Sequence, residues 1–465
     1  MTDPGAVRRW HADLAWLPGQ GVHSGVLIEA AGRYFTAVTP GVSAGDRPPG
    51  TVRLAGFTLP GMANAHSHAF HRALRGVVQA GRGTFWTWRE RMYQVAGRLQ
   101  PDSYLTLARA VYAEMALAGI TCVGEFHYLH HDTGGARYGD PNEMGRALLE
   151  AAAQAGLRIT LLDTCYLRGG LSADGSPVAL SGAQERFGDG DGAGWAERVA
   201  QLGPDEHGML DAHARAGVAI HSVRAVPPDQ MGPVIACSHA YGAPLHAHLS
   251  EQPAENEACL TAYGVTPACL FEQAGALGPR TTAVHATHLT GDDIELLGDT
   301  RTTACLCPTT EADLADGIGP ARALTAAGCP LSLGSDSHAV VDLLAEARLT
   351  EMGERLVSGR RGSFRAEELA EAATVAGHAC LGWPQAGGIA PGAFADLVTV
   401  ALDTPRLAGA QPGSVLESVI FAGSAADVRT VVISGRDVVA EGRHLLVDDV
   451  PAALDAAITP LLSRP

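Results

Sequence analysis

The stretch Phe57-Thr58-Leu59-Pro60-Gly61-Met62-Ala63-Asn64-Ala65-His66-Ser67-His68-Ala69-Phe70 decides how the chain is read. Its apolar opening, Phe57–Ala63, predicts a short buried strand. Residues i and i+2 of a strand share a face, so His66 and His68 project together from its C-terminal end. Two neutral imidazoles so placed can bind one divalent metal. Taken alone, the pair is as compatible with two polar residues in a turn.

Outward from this stretch one pattern recurs, in which an Ala- and Leu-rich helix ends at a glycine and an apolar strand follows. It is read at Gly119 before Ile120–Val123, at Gly156 before Leu157–Leu162 and at Gly217 before Val218–Ile220. It is read again at Gly242 before Pro244-Leu245 and at Gly328 before Pro330–Leu333. Glycine is the expected residue just past a helix end. Further strands at Thr282–Ala286 and Thr302–Leu306, with the opening run, complete a set of eight. Strands alternating with helices pair in parallel, and eight such units predict an α/β fold of the (β/α)8 TIM-barrel type over residues 57–384. Residues 1–56 and 385–465 are rich in short strand-like runs, among them Tyr34–Val38, Ala395–Val400 and Arg429–Ser434. They are expected to pack as one small β-sandwich built from both chain ends.

Two connections are long enough to carry function. Residues 77–98 contain Phe85-Trp86-Thr87-Trp88-Arg89-Glu90-Arg91, expected to form part of a site. Residues 169–194 are rich in Gly, Asp and Ser and are expected to be a mobile lid.

The net charge of −17, from 33 basic and 50 acidic residues, argues against nucleic-acid binding. Every basic residue is arginine; the chain holds no lysine. The nine cysteines show no CxxC spacing, which predicts reduced thiols in a cytoplasmic protein. Cys305 and Cys307 are expected in the core. Neither a signal peptide nor an apolar run long enough to span a membrane is read.

Barrel enzymes work at the C-terminal ends of their strands. Here those ends carry His66 and His68, then Glu125-Phe126-His127-Tyr128, His221-Ser222-Val223-Arg224 and His246-Ala247-His248-Leu249-Ser250-Glu251. His285 with His288, and Gly334-Ser335-Asp336-Ser337, close the series. Singly, each has an ordinary reading: a hydrogen-bonded structural histidine, or an aspartate capping a helix. Six polar strand ends on one face point to a metal-dependent active site.

The residues now carry a resemblance. His66-x-His68 on strand one, histidines on strands five and six, and Asp336 on strand eight resemble the amidohydrolase superfamily, and His248-x-x-Glu251 resembles its deaminase branch. Asn64–Ala73, Phe85–Glu90 and His221–Val226 are similar to the N-formimino-L-glutamate deiminase family of histidine degradation. One departure is His71, which stands where that family has glutamine after His-Ala-Phe. The resemblance implies one divalent metal per chain, zinc, held by His66, His68, His248 and Asp336. A lysine-bridged metal pair is excluded because there is no lysine. It further implies hydrolysis of a small dianionic amidine, N-formimino-L-glutamate, by a metal-activated water. Asp336 would take the proton of the attacking water, His285 would polarise the substrate, and Glu251 would pass a proton to the departing nitrogen. His71, Arg89, Tyr128, His221 and Arg224 would bind the substrate, with the two arginines on its carboxylates. For Tyr128 a half-buried core aromatic is an equal reading, and Arg75, Arg82 and Arg91 read as solvated or structural. A homodimer is implied by the family, and no membrane or nucleic-acid partner is expected. Two alternatives stay open: another mononuclear zinc deaminase acting on a purine or related ring, and a non-catalytic protein on the same scaffold.

Overall fold

The run Phe57–Ala63, expected as one barrel strand, is divided at Gly61 in the computed structural model, which describes residues 7–80 and 85–463. Val52–Pro60 joins a sheet made by the chain ends, and Met62–Ser67 is the first barrel strand. Gly61 sits where those two layers touch. A Cβ there would come within 2.3 Å of Thr121 Oγ1 and 2.9 Å of the Asp396 Cβ, so only glycine passes without displacing a neighbour. Arg82 lies outside the described residues, as do the side chains of Phe85 and Trp86.

The expected barrel is present. Its strands are Met62–Ser67, Ile120–His127, Arg158–Cys165, Ala214–Ile220, Leu245–Leu249, Thr281–His285, Thr303–Leu306 and Leu331–Leu333. They pair in parallel and in chain order. The ring closes at the active end, where Ser67 bridges Asp336. There Asp336 N–H donates to His66 O at 3.0 Å and His68 N–H donates to Asp336 O at 3.2 Å. Helices cover the outside, so strands such as Ile120–His127 and Arg158–Cys165 are buried along their whole length.

Four of the five glycines do what the sequence pattern requires, with Gly119 (φ 86°) and Gly242 (φ 56°) in left-handed backbone just past Pro101–Leu117 and Pro228–Ala240. Gly156 (φ 75°) and Gly328 (φ 101°) adopt left-handed caps after Glu143–Ala155 and Ala321–Ala327. Gly217 does not. It lies inside the fourth strand, where a Cβ would meet Leu162 Cδ2 at 2.6 Å and Thr160 Cγ2 at 2.9 Å. Close strand packing, not a helix end, selects glycine there.

The two chain ends come together as expected, but as a single eight-stranded sheet in place of the two facing sheets of a sandwich. Val52–Pro60 pairs antiparallel with Leu397–Val400, which joins the N-terminal strands to the C-terminal ones. Trp10, Ile28, Phe35, Leu397 and Val432 form its buried core. A buried ion pair fastens this sheet to the barrel: Arg158 Nη1 donates to Asp396 Oδ2 at 2.6 Å, and its guanidinium lies 4.2 Å over the Phe394 ring. Cys305 and Cys307 are buried free thiols, as expected for core residues.

The segment 169–194, expected as a mobile lid, is bonded into the molecule. Gly170–Leu171 pairs with Pro177–Val178, and a short 3-10 turn follows at Gly182–Arg186. The buried Arg186 donates to the carbonyls of His131, Ala96 and Leu99. Among the described residues no helix is long and apolar enough to cross a membrane.

Candidate active site

The end of the first strand sets the site. His66 and His68, two residues apart, both aim Nε2 at Asp336 Oδ1, each at 3.3 Å. From the fifth strand His248 brings its Nε2 to 3.1 Å from that of His66. The ligand atoms of all four residues lie within 4.8 Å of one another, and all four side chains are buried. Burial holds His66 and His248 well below the ordinary imidazole range and His68 at about 3, and the neighbouring imidazoles add to the effect. The three rings are therefore neutral, with lone pairs to offer. Their outer nitrogens are partly fixed: His68 Nδ1 lies 3.0 Å from Phe126 O, and His248 Nδ1 lies 2.9 Å from His221 O. A carbonyl can only accept, so these contacts place the proton on Nδ1 and leave Nε2 free to ligate. Three such nitrogens and one carboxylate fit a four-coordinate divalent metal.

Asp336 is held in a demanding conformation, with φ 38°. Such backbone costs of order 1–3 kcal/mol and persists where its surroundings impose it. Here Asn64 supplies part of that support from the first strand. Its Nδ2 donates to Ser335 Oγ at 2.7 Å and its Oδ1 accepts from Ser335 N–H at 2.9 Å. These bonds add to the backbone pairing of Asp336 with His66 and His68.

Beside the tetrad stands an acid–base group. His285 Nε2 is 4.0 Å from both Glu251 Oε1 and Asp336 Oδ2, and its Nδ1 is 3.4 Å from Glu311 Oε1. Burial opposes its charge, but the bond to Glu311 and the carboxylates of Glu251 and Asp336 outweigh burial and raise it to about 10. Glu251 Oε2 accepts from Arg224 Nη2 at 3.1 Å. Arg224 Nε stands 2.9 Å from Glu255 Oε2, an ion pair set off the hydrogen-bond direction.

A sequence model of the amidohydrolase family matches residues 57–438. The chain belongs to the amidohydrolase family. It is 38% identical over 425 residues to a formimidoylglutamate deiminase of Pseudomonas aeruginosa, covering 88% of this chain and 91% of that one. A solved amidohydrolase from Brucella melitensis superposes with a TM-score of 0.88 at 33% identity, covering 98% of this chain and 100% of that one. An adenosine deaminase from Xanthomonas campestris with bound zinc superposes at 0.81 with 25% identity, covering 97% of each chain.

In this amidohydrolase one cavity collects nearly every expected site residue. His68, His71, Arg89, Tyr128, His221, Arg224, His248, Glu251, His285 and Asp336 line it, with His66 enclosed behind them. Tyr128 is thus a wall residue of the cavity, with its hydroxyl 3.0 Å from His71 Nε2. Four strand-end residues point elsewhere. His246 Nε2 lies 3.1 Å from Cys380 O, and His288 Nε2 lies 2.7 Å from Asp316 O. His127 packs against His130, and Glu125 accepts from the Ser67 hydroxyl and from Ala69 N–H. Arg75 bonds Glu114 and His338 O, a structural role, and Arg91 reaches the neighbouring Gln94 at the surface. Tyr93, Tyr166, Phe187 and Leu314 also line the cavity and were not foreseen. Only Tyr93 left a signal, four residues after Arg89 on the helix Phe85–Ala96.

Proposed function

We propose that this amidohydrolase deiminates N-formimino-L-glutamate by hydrolysis, giving N-formyl-L-glutamate and ammonia in histidine degradation. The observation that carries the reading is one cavity holding the His66–His68–His248–Asp336 tetrad, Glu251 and two arginines, Arg89 and Arg224. Two guanidiniums suit two carboxylates, since each can pair bidentately with one. The related deiminase from Pseudomonas aeruginosa supports the same substrate.

The tetrad would hold one divalent ion, and the zinc in the related adenosine deaminase favours zinc. Such an ion supplies Lewis acidity and lowers the pKa of water to about 7. The chain's own groups manage the protons. Asp336 Oδ2, on the side facing His285, accepts the proton of the attacking water. His285 holds a proton at Nε2, shared toward Glu251 and Asp336, and stabilises negative charge on the incoming oxygen. Glu251 pairs with the cationic imino nitrogen and relays to it the proton that Asp336 takes from the water, so that ammonia leaves. His71, Tyr128 and His221 contribute further polar contacts from the cavity wall. The family resemblance further supports a homodimer working in the cytoplasm.

The aromatic wall of Trp88, Tyr93, Tyr128, Tyr166 and Phe187 gives a purine-type ring a second, weaker reading. An ammonia-release assay compares formiminoglutamate with guanine and adenosine, with and without a chelator. Release from formiminoglutamate alone, abolished by the chelator, is expected. Release from a purine alone would replace this reading with the other.

A further inference from the structure

Arg89 does not stand by itself on its helix. Its Nε donates to Tyr93 Oη at 2.5 Å and its Nη2 donates to Gly169 O at 2.9 Å. Gln184 donates to the same two acceptors. Its Nε2 lies 2.9 Å from Tyr93 Oη, 3.2 Å from Gly169 O and 3.1 Å from Tyr166 Oη. One buried amide therefore fixes both anchors of the arginine and ties them to a second cavity tyrosine. Gln184 is itself only 5% exposed and does not line the cavity where the substrate would sit.

The segment carrying Gln184 grips the Arg89 helix at a second point. Two residues on, Arg186 donates to the carbonyl of Ala96, the last residue of the helix Phe85–Ala96, and to that of Leu99 just beyond. A guanidinium at a helix C-terminus satisfies carbonyls that the helix leaves open. The turn Gly182–Arg186 thus holds the end of the helix through Arg186 and the functional arginine through Gln184. Gly169 fits the arrangement, because a Cβ there would lie 2.4 Å from Ala179 O and 3.1 Å from Gln184 Oε1.

We propose that Gln184 is a positioning residue for Arg89: it presets the guanidinium for a substrate carboxylate without touching the substrate. The proposal rests on the assignment of Arg89 to carboxylate binding. A side chain locked by its neighbours loses less freedom when it engages a ligand, so the benefit falls on binding of the anion and not on the chemical step.

The test uses Gln184→Leu, which removes the amide, and Gln184→Glu, which keeps the shape but cannot donate. Each is compared with wild type in turnover of formiminoglutamate and in calorimetric binding of N-acetyl-L-glutamate, a dicarboxylate that cannot be deiminated. In both variants KM and the dicarboxylate Kd are expected to rise together by about 5- to 10-fold, the effect of losing roughly one hydrogen bond. The kcat is expected to stay within about twofold and metal content to stay unchanged, which a general structural defect would not allow. If Gln184→Leu fails to fold, the near-isosteric Gln184→Glu decides. Unchanged KM and Kd in a folded variant, or a fall in kcat with KM constant, would overturn the proposal. A wild-type protein that binds the dicarboxylate but turns over no formiminoglutamate would defeat the functional reading and leave the positioning role standing. A wild-type protein that binds no dicarboxylate would defeat both.

Discussion

At the scale of single residues, the structure adds a second duty to two side chains. Glu251, assigned to proton delivery, also accepts from Arg224 at 3.1 Å. Arg224, assigned to a substrate carboxylate, also faces Glu255 at 2.9 Å. Its Nη2 is thereby hydrogen-bonded and its Nε ion-paired, and Nη1 makes no hydrogen bond among the described residues. Glu251→Gln is expected to keep the metal, since Glu251 is outside the tetrad, and to lower kcat by about 10²- to 10⁴-fold, as for other general acid–base groups. Loss of metal in that variant would make Glu251 structural instead. Arg224→Met removes one partner of an enclosed charge pair, a loss worth about 2–5 kcal/mol. It should lower kcat/KM by roughly 30-fold or more and, because Glu251 is released, should lower kcat as well as raise KM. An effect confined to KM would show that Arg224 does not steer Glu251. Much of this site was legible because its side chains sit at strand ends, where the barrel's geometry dictates convergence. His71 was legible only by resemblance, as a residue standing in for glutamine. In the structure its ring lies 4.5 Å from that of His68 and 3.0 Å from the Tyr128 hydroxyl. Glu255, Glu311 and Gln184 gave no signal, because a partner brought in from another turn or loop leaves no spacing to read.

At the scale of elements, glycine was the most informative letter and also the most ambiguous. Gly156 and Gly328 close helices in left-handed backbone, as the pattern demands. Gly217 was read the same way, yet its neighbours are the Leu162 and Thr160 side chains of the adjoining third strand. Gly61 divides one apolar run between two sheets. Both sites need a missing Cβ because two layers nearly touch, and such contact is invisible to local periodicity. The distinction is testable. Gly217→Val would drive its branched side chain against contacts that already stand at 2.6 and 2.9 Å from a bare Cβ. Overpacking of this kind costs typically about 1–3 kcal/mol. A substitution at a solvated helix end would cost far less, so an unfolding free energy within about 0.5 kcal/mol of wild type would contradict the packing role.

At the scale of the molecule, buried titratable groups set how stability should vary with pH. Burial holds His130, His246 and His378 at about 4 and pushes His127 and His338 well below the ordinary 6.5. In the unfolded chain these histidines take up protons as the pH falls through 6.5, whereas in the folded chain they stay neutral. The unfolded state then binds more protons, so stability is lost as the pH drops below 6.5. Three buried carboxyls act oppositely. Burial raises Glu125 and Asp316 to about 8 and Glu346 well above its ordinary range. Above the unfolded carboxyl range the folded state keeps protons that the unfolded chain gives up, so these groups erode stability as the pH rises. Each uncompensated proton changes stability by about 1.4 kcal/mol per pH unit. Below 6.5 the named histidines outnumber the named carboxyls, and above it the carboxyls act together with His285, whose raised value keeps a proton that the unfolded chain gives up. Stability should therefore peak near 6.5, the point at which the unfolded histidines titrate. Metal retention would sharpen the acid side, because His66, His68 and His248, the proposed ligands, would have to stay unprotonated to hold the ion. Denaturant unfolding of the metal-saturated protein, followed from about pH 5 to about pH 8, measures the profile directly. Stability that still climbs between pH 7 and pH 8 would show that the raised groups do not erode it, and stability that stays level as the pH falls from 6.5 toward 5 would show that the buried histidines do not control acid sensitivity.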